Sequence, residues 1–276
     1  MSILGKMLSP VKNPGGDEAE MSFLDHFDVL RKHLFRSALW ILVFGIFIFT
    51  QKTFVFDTLI LGPTKPDFIT YRTFCSIADF LCFKPAPLEI FTRELAEQLT
   101  IHLKVSFFLG FICAFPMVLR EVWLFVKPGL YQKEQKATRW VVEICSLLFL
   151  SGVLFGYFII APFSISFLAS YNVSELVKSS ATLASIVDSM TMFTISTGLV
   201  FELPLAIYFL AKLGLVGPQF LRTYRRHAIV LITIVAAVIT PPDVTSMVLV
   251  TLPLVLLYEV SILVAARVFP KESVAS

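Results

Sequence analysis

The sequence predicts an all-α integral membrane protein with six transmembrane helices and both termini on the cytoplasmic side. Three observations predict it. Hydrophobic residues fill 57% of the 276 positions, including 28 Phe, and charged residues only 16%, too few for a soluble chain of this length. Apolar runs long enough to approach the ~30 Å hydrocarbon core recur along the chain. Of the 23 Lys and Arg, sixteen lie on the side of the termini, six in the opposite loops and one, Lys104, just inside a span. That bias places the termini inside.

In chain order, residues 1–20 are polar and rich in Pro and Gly, lack the apolar stretch of a secretory signal, and read as a disordered cytoplasmic tail. Met21 opens MSFLDHFDVLRKHL, which resembles a natural start. A membrane domain is expected over 21–270, with a short cytoplasmic tail at 271–276. Its spans are read at Leu34–Thr50, Leu99–Leu119, Trp140–Leu168, Ile186–Leu213, His227–Thr240 and Val244–Phe269. The fifth reaches only ~21 Å at 1.5 Å per residue, and it turns into the sixth through TPPD. The outer loop, 51–98, is punctuated by Pro63, Pro66, Pro85 and Pro87 and is expected to form an ordered cap. Within it, FVFDTLIL and PLEIFTRELAEQL read as short amphipathic helices. Loops 120–139 and 214–226 face the cytoplasm, and no internal repeat is visible, which weakens an inverted-repeat transporter reading.

One residue asks for a function. Glu202 stands in the apolar run LVFELPLAIYFL, where a charge costs ~2.5 to 3.5 kcal/mol on insertion scales. Gly198, Thr194 and Thr191 lie beneath it on a small, polar helix face that Ile195 interrupts, and Pro204 favours a kink nearby. From the residues alone two readings compete: a structural Glu, or a proton site in a proton-coupled secondary transporter of a small solute. Against the last, Glu143 and Glu259 fall toward one surface and His102, Lys104 and Asp188 toward the other, with no chain of partners between.

Of four cysteines, Cys113 and Cys145 are expected as buried thiols, whereas Cys75 and Cys82 lie in the outer loop, where a disulfide is permitted; spacing leaves their pairing open. Nothing suggests an enzyme, a cofactor or a metal: HExxH, GxSxG and phosphate-binding glycine loops are absent from a chain with 12 Gly and 4 His. A net charge of +3 is too small to suggest nucleic acid. Asp243 is placed to N-cap the sixth helix after Pro241 and Pro242.

Four motifs fall into one order along the chain. DHFDVLRKHL before the first span, FPMVLREVWLFVKPGLYQKE after the second, FELPLAIYFL in the fourth and TPPDV between the fifth and sixth together resemble the TatC family, over about Ser22 to Phe269. That family is the multi-spanning receptor of the twin-arginine protein translocase. The resemblance implies a cupped-hand bundle with short fifth and sixth helices in a bacterial inner membrane. It implies single-span TatA/TatB-type partners, lipids and further copies of the chain as neighbours, and transport driven by the proton-motive force. It aligns Glu134 with the family's signal-binding glutamate, the one acid in a basic stretch, and makes Phe125, Pro128, Leu130 and Tyr131 an apolar platform. In the family pattern H-x-x-E-L-R, Val29 replaces the acid; Asp28 or Asp25 is expected to substitute, with Asp28 preferred, and otherwise recognition leans on Glu134 and Glu121. Arg31 matches the family's arginine, and His33 stands where a second Arg is common. Glu202, with Thr194 and the hairpin Thr240, Pro241, Pro242 and Asp243, is implied to dock the single-span partners.

Overall fold

A computed structural model of the chain describes residues 23–77, 88–126, 140–171, 174, 180–241 and 244–269. The first helix, α1 (Phe23–Thr50), starts at what we term the basic end and runs to the cap end. There the chain makes a π-helical turn over Phe54–Ile60, a short 3-10 turn, α2 (Ile69–Ile77) and the strand β1 (Glu89–Phe91). Helix α3 (Glu97–Val126) returns to the basic end. The next crossing is α4 (Val141–Phe155), a π turn over Gly156–Ile160, and α5 (Ala161–Ser170). Strand β2 (Ser180–Thr182) leads into α6 (Leu183–Val200), which breaks and resumes as α7 (Leu203–Lys212). Helices α8 (Pro218–Thr223), α9 (Arg225–Ile239) and α10 (Val244–Val268) complete the order.

Among the described residues, five stretches are long and apolar enough to cross a membrane: Phe27–Thr50, Glu97–Val126, Val141–Ser170, Leu183–Lys212 and Val244–Val268. Helix α9, at 15 residues, reaches only ~22 Å. The resemblance implies a short sixth helix, but α10 has 25 residues, in line with the span read at Val244–Phe269, and Pro253 sits inside it without ending it. An interior proline removes one hydrogen bond, and a long apolar helix held by neighbours tolerates that loss.

Glycines permit close backbone approach at two helix crossings. A Cβ on Gly110 of α3 would lie 2.7 Å from the Gly45 nitrogen of α1, so only hydrogen fits there. Between α4 and α6, a Cβ on Gly152 would lie 2.7 Å from the Thr197 carbonyl oxygen, and one on Gly156 would lie 2.6 Å from that of Phe193. This four-residue glycine spacing lets backbones approach where apolar burial supplies no drive between helices in lipid. The larger core gathers Val105, Ile160, Val187, Met190, Val250 and Leu254 from α3, the π turn, α6 and α10.

The cap is bolted to the third crossing. Pro162 cannot donate to the carbonyl of Phe158, four residues earlier, and that oxygen instead accepts a hydrogen bond from Thr70 Oγ1 at 2.5 Å. Tyr71 donates to the carbonyls of Pro63 and Pro162, and Tyr157 donates to that of Leu59. Burial holds the Tyr71 phenol above its ordinary value, so it stays a donor. One expected amphipathic helix, PLEIFTRELAEQL, is absent. Its start forms β1, paired in parallel with β2 from Glu89↔Ser180 to Phe91↔Thr182, and the helix begins only at Glu97. Cross-strand pairing of β-prone Ile90 and Phe91 wins over local helix preference. FVFDTLIL is helical, with π geometry over Phe54–Ile60. Glu97 ties the strands to α6: Oε2 accepts from the backbone N–H of Arg93 and Glu94, and Oε1 from that of Ala184.

Candidate functional site

Among the described residues, two places bring a carboxylate into the bundle away from its ordinary setting in water. The first is at the basic end, where α1 lies against α3. Val29, His33 and Ser37 recur at four-residue spacing on one face of α1, and Ser37 is buried. His33 Nδ1 stands 2.6 Å from Glu121 Oε2 on α3, with 16% and 12% of the two side chains exposed, and Arg36 approaches the same oxygen at 4.0 Å. Phe125 meets the His33 ring edge-on, 6.4 Å between centroids. Asp28 and Arg31 are exposed and lie off this face. Composition does not reveal the His33–Glu121 pair, because its partners are 88 residues apart. The only sequence trace is the row of Val29, His33 and Ser37 on a helix otherwise studded with large apolar side chains.

The second place is Glu202, in the break between α6 and α7. Pro204 cannot donate to Val200, so α6 stops there, and the Glu202 backbone N–H turns to the Leu199 carbonyl at 3.1 Å. Both carboxylate oxygens are buried and neither makes a hydrogen bond of full geometry; the Cys145 thiol and the Phe149 backbone of α4 are the polar groups facing it. Beside it, a groove of about 390 Å³ runs between α4, α7 and α10, lined among others by Trp140, Ile144, Pro204, Tyr208 and Val260.

The small face beneath Glu202 is used within the chain. Thr194 is 3% exposed and donates to the Met190 carbonyl, and Gly198 packs beneath Phe149 and Val153. Partner docking cannot draw on that stripe, because α4 already covers it. Thr240 caps the end of α9, its hydroxyl donating to the Ala236 carbonyl at 2.9 Å, and Pro241 is half-buried; no described hydrogen bond joins this hairpin to Glu202. Elsewhere among the described residues, Lys104 pairs with Asp188 and Arg225 with Glu259, away from Glu202. No relay therefore leads to Glu202 among the described residues, and no cluster of three or more His, Cys, Asp or Glu is gathered there.

Several expected site residues, Glu134, Pro128, Leu130, Tyr131, Pro242 and Asp243, lie outside the described residues, as does the side chain of Asp25. Cys75 is disulfide-bonded, and Cys82 lies outside the described residues. Cys145 is buried as expected, whereas Cys113 lies exposed on α3, a position that lipid rather than protein would cover.

A family model described as Sec-independent protein translocase protein (TatC) matches residues 25–253. This chain belongs to the TatC family. Among TatC relatives, the protein translocase TatC of Blattabacterium sp. subsp. Periplaneta americana (strain BPLAN) is 36% identical over 263 residues, covering 93% of this chain and 99% of that one. TatCy of Bacillus subtilis (strain 168) is 32% identical, covering 93% of each chain. A crystal structure of the twin-arginine translocase receptor TatC superposes with a TM-score of 0.68 at 30% identity, covering 88% of this chain and 99% of that one. The TatC match therefore includes both polar places and reaches from α1 into α10.

Proposed function

We propose that this chain is the receptor subunit of a twin-arginine protein translocase in a bacterial inner membrane, crossing six times with both termini in the cytoplasm. The likeness to the receptor crystal structure, over nearly the whole of that chain, carries the reading. The five long helices and the short α9 supply six crossings, and the excess of Lys and Arg at the basic end supports the orientation. An α9 of ~22 Å against a ~30 Å core means that the last hairpin thins the bilayer or stops short of its far surface.

The mechanism is non-catalytic and uses no nucleotide or metal. Glu134, with Asp28 as helper, captures the guanidinium groups of the signal through charge-assisted hydrogen bonds. Phe125, Pro128, Leu130 and Tyr131 form an apolar platform beside that capture, and Arg31 holds the start of α1 at the lipid headgroups. The signal's apolar segment then inserts along the bundle. Glu202 and the hairpin of Thr240, Pro241, Pro242 and Asp243 recruit single-span TatA/TatB-type subunits, with Thr194 bracing the break from inside. Several copies assemble in the receptor complex, and the proton-motive force drives passage of folded cargo.

Complementation tests this. In a strain lacking its own TatC, the chain should restore export of a twin-arginine reporter. Glu134→Ala should abolish signal binding, and Glu202→Gln should block export after binding. Retention of signal binding by Glu134→Ala would refute the assigned capture site.

A further inference from the structure

We propose that Glu121 is a further carboxylate ligand for the guanidinium groups of the export signal and that His33 is its positioning residue. The proposal rests on the receptor reading above and is argued from described residues of α1 and α3 alone. Glu121 lies on α3, five residues before Val126, the last residue of that helix. Its side chain is 12% exposed, and the His33 and Arg36 approaches both fall on Oε2. Oε1 has no donor among the described residues, yet it is not one of the oxygens sealed from solvent. A carboxylate offers about four acceptor positions, so most of this one stays open to an incoming N–H. In a partly desolvated setting such a bond is stronger than it would be in water.

A purely structural role explains this poorly. Helices α1 and α3 are already packed closely at the Gly45–Gly110 contact. A buried ion pair adds little stability beyond such packing, because desolvation offsets its attraction. His33 shows the complementary feature. An ionised carboxylate only accepts, so the tautomer that fits the 2.6 Å contact has Nδ1–H donating to it, and Phe125 lies edge-on to the same ring. The pair thus fixes a charge on the α3 side of the face that Val29 leaves without an acid, one helical turn from Val29 along α1. The negative group absent from α1 is supplied by the helix packed against it.

The test uses the full chain in nanodiscs with a synthetic twin-arginine signal peptide as probe. Glu121→Gln keeps an acceptor for His33 and removes only the charge. It should weaken peptide binding roughly tenfold, the scale of one charge-assisted hydrogen bond. The salt dependence of binding should become shallower. His33→Ala should weaken binding in the same direction, and His33→Asn, which offers an amide N–H in place of Nδ1, should restore it. Wild-type affinity in Glu121→Gln, alongside lost affinity in Glu134→Gln, would overturn this assignment while leaving the receptor reading intact. Equal losses of binding and thermal stability with an unchanged salt dependence would make the pair a brace and also overturn it. No binding of the peptide to the wild-type chain would remove the receptor reading and this proposal together.

Discussion

Glu202 is costly where it stands. Its two oxygens are buried in a helix break without full hydrogen bonds, and an unsatisfied buried acceptor costs ~1 to 3 kcal/mol, more when charged. Glu202→Met, similar in volume and apolar, should therefore raise the unfolding temperature of the purified protein while stopping export of a twin-arginine reporter. Stability gained and function lost together would mark the carboxylate as kept for use. A fall in unfolding temperature would make it a structural group. At this scale the sequence located Glu202 and its neighbours along the chain, because apolar context exposes a lone acid. It could not pair His33 with Glu121, nor tell that Thr194 and Gly198 face α4, because those facts depend on which helices touch.

At the scale of elements, α4 and α6 meet through glycine and can be loosened selectively. A methyl at Gly152 would strike the Thr197 carbonyl oxygen and the Gly198 Cα at 2.7 and 2.8 Å, both backbone atoms with no room to move. A methyl at Gly198 meets the side chains of Phe149 and Val153 at 2.9 Å, which can shift. Gly152→Ala should therefore lower stability by ~1 to 3 kcal/mol and Gly198→Ala by less, read as detergent-solubilised unfolding midpoints. The reverse order would mean that the crossing is not set by backbone contact. Element boundaries followed local chemistry where proline or hydropathy ruled: the spans, the short α9 and the break before Pro204. They departed from it at PLEIF, where pairing with Ser180–Thr182 decided.

At the scale of the molecule, the proposed topology makes a direct prediction. A cysteine replacing Ser2 in the tail should react with a membrane-impermeant maleimide only from the cytoplasmic side. One replacing Asp67, exposed in the cap, should react only from the outer side. Labelling of both from the same side would overturn the six-crossing, N-in arrangement. The sequence by itself determined that this is a helical membrane protein of the TatC kind, because the ~30 Å apolar core demands long hydrophobic segments whatever their arrangement. It also determined where polar groups interrupt those segments. Only the tertiary structure decided what those groups face: Glu202 toward Cys145 and Phe149, Thr194 into the α4 contact, Glu121 toward His33. Hydropathy records how far a side chain lies from water, whereas partner choice is set by glycine-permitted approaches between helices distant in sequence.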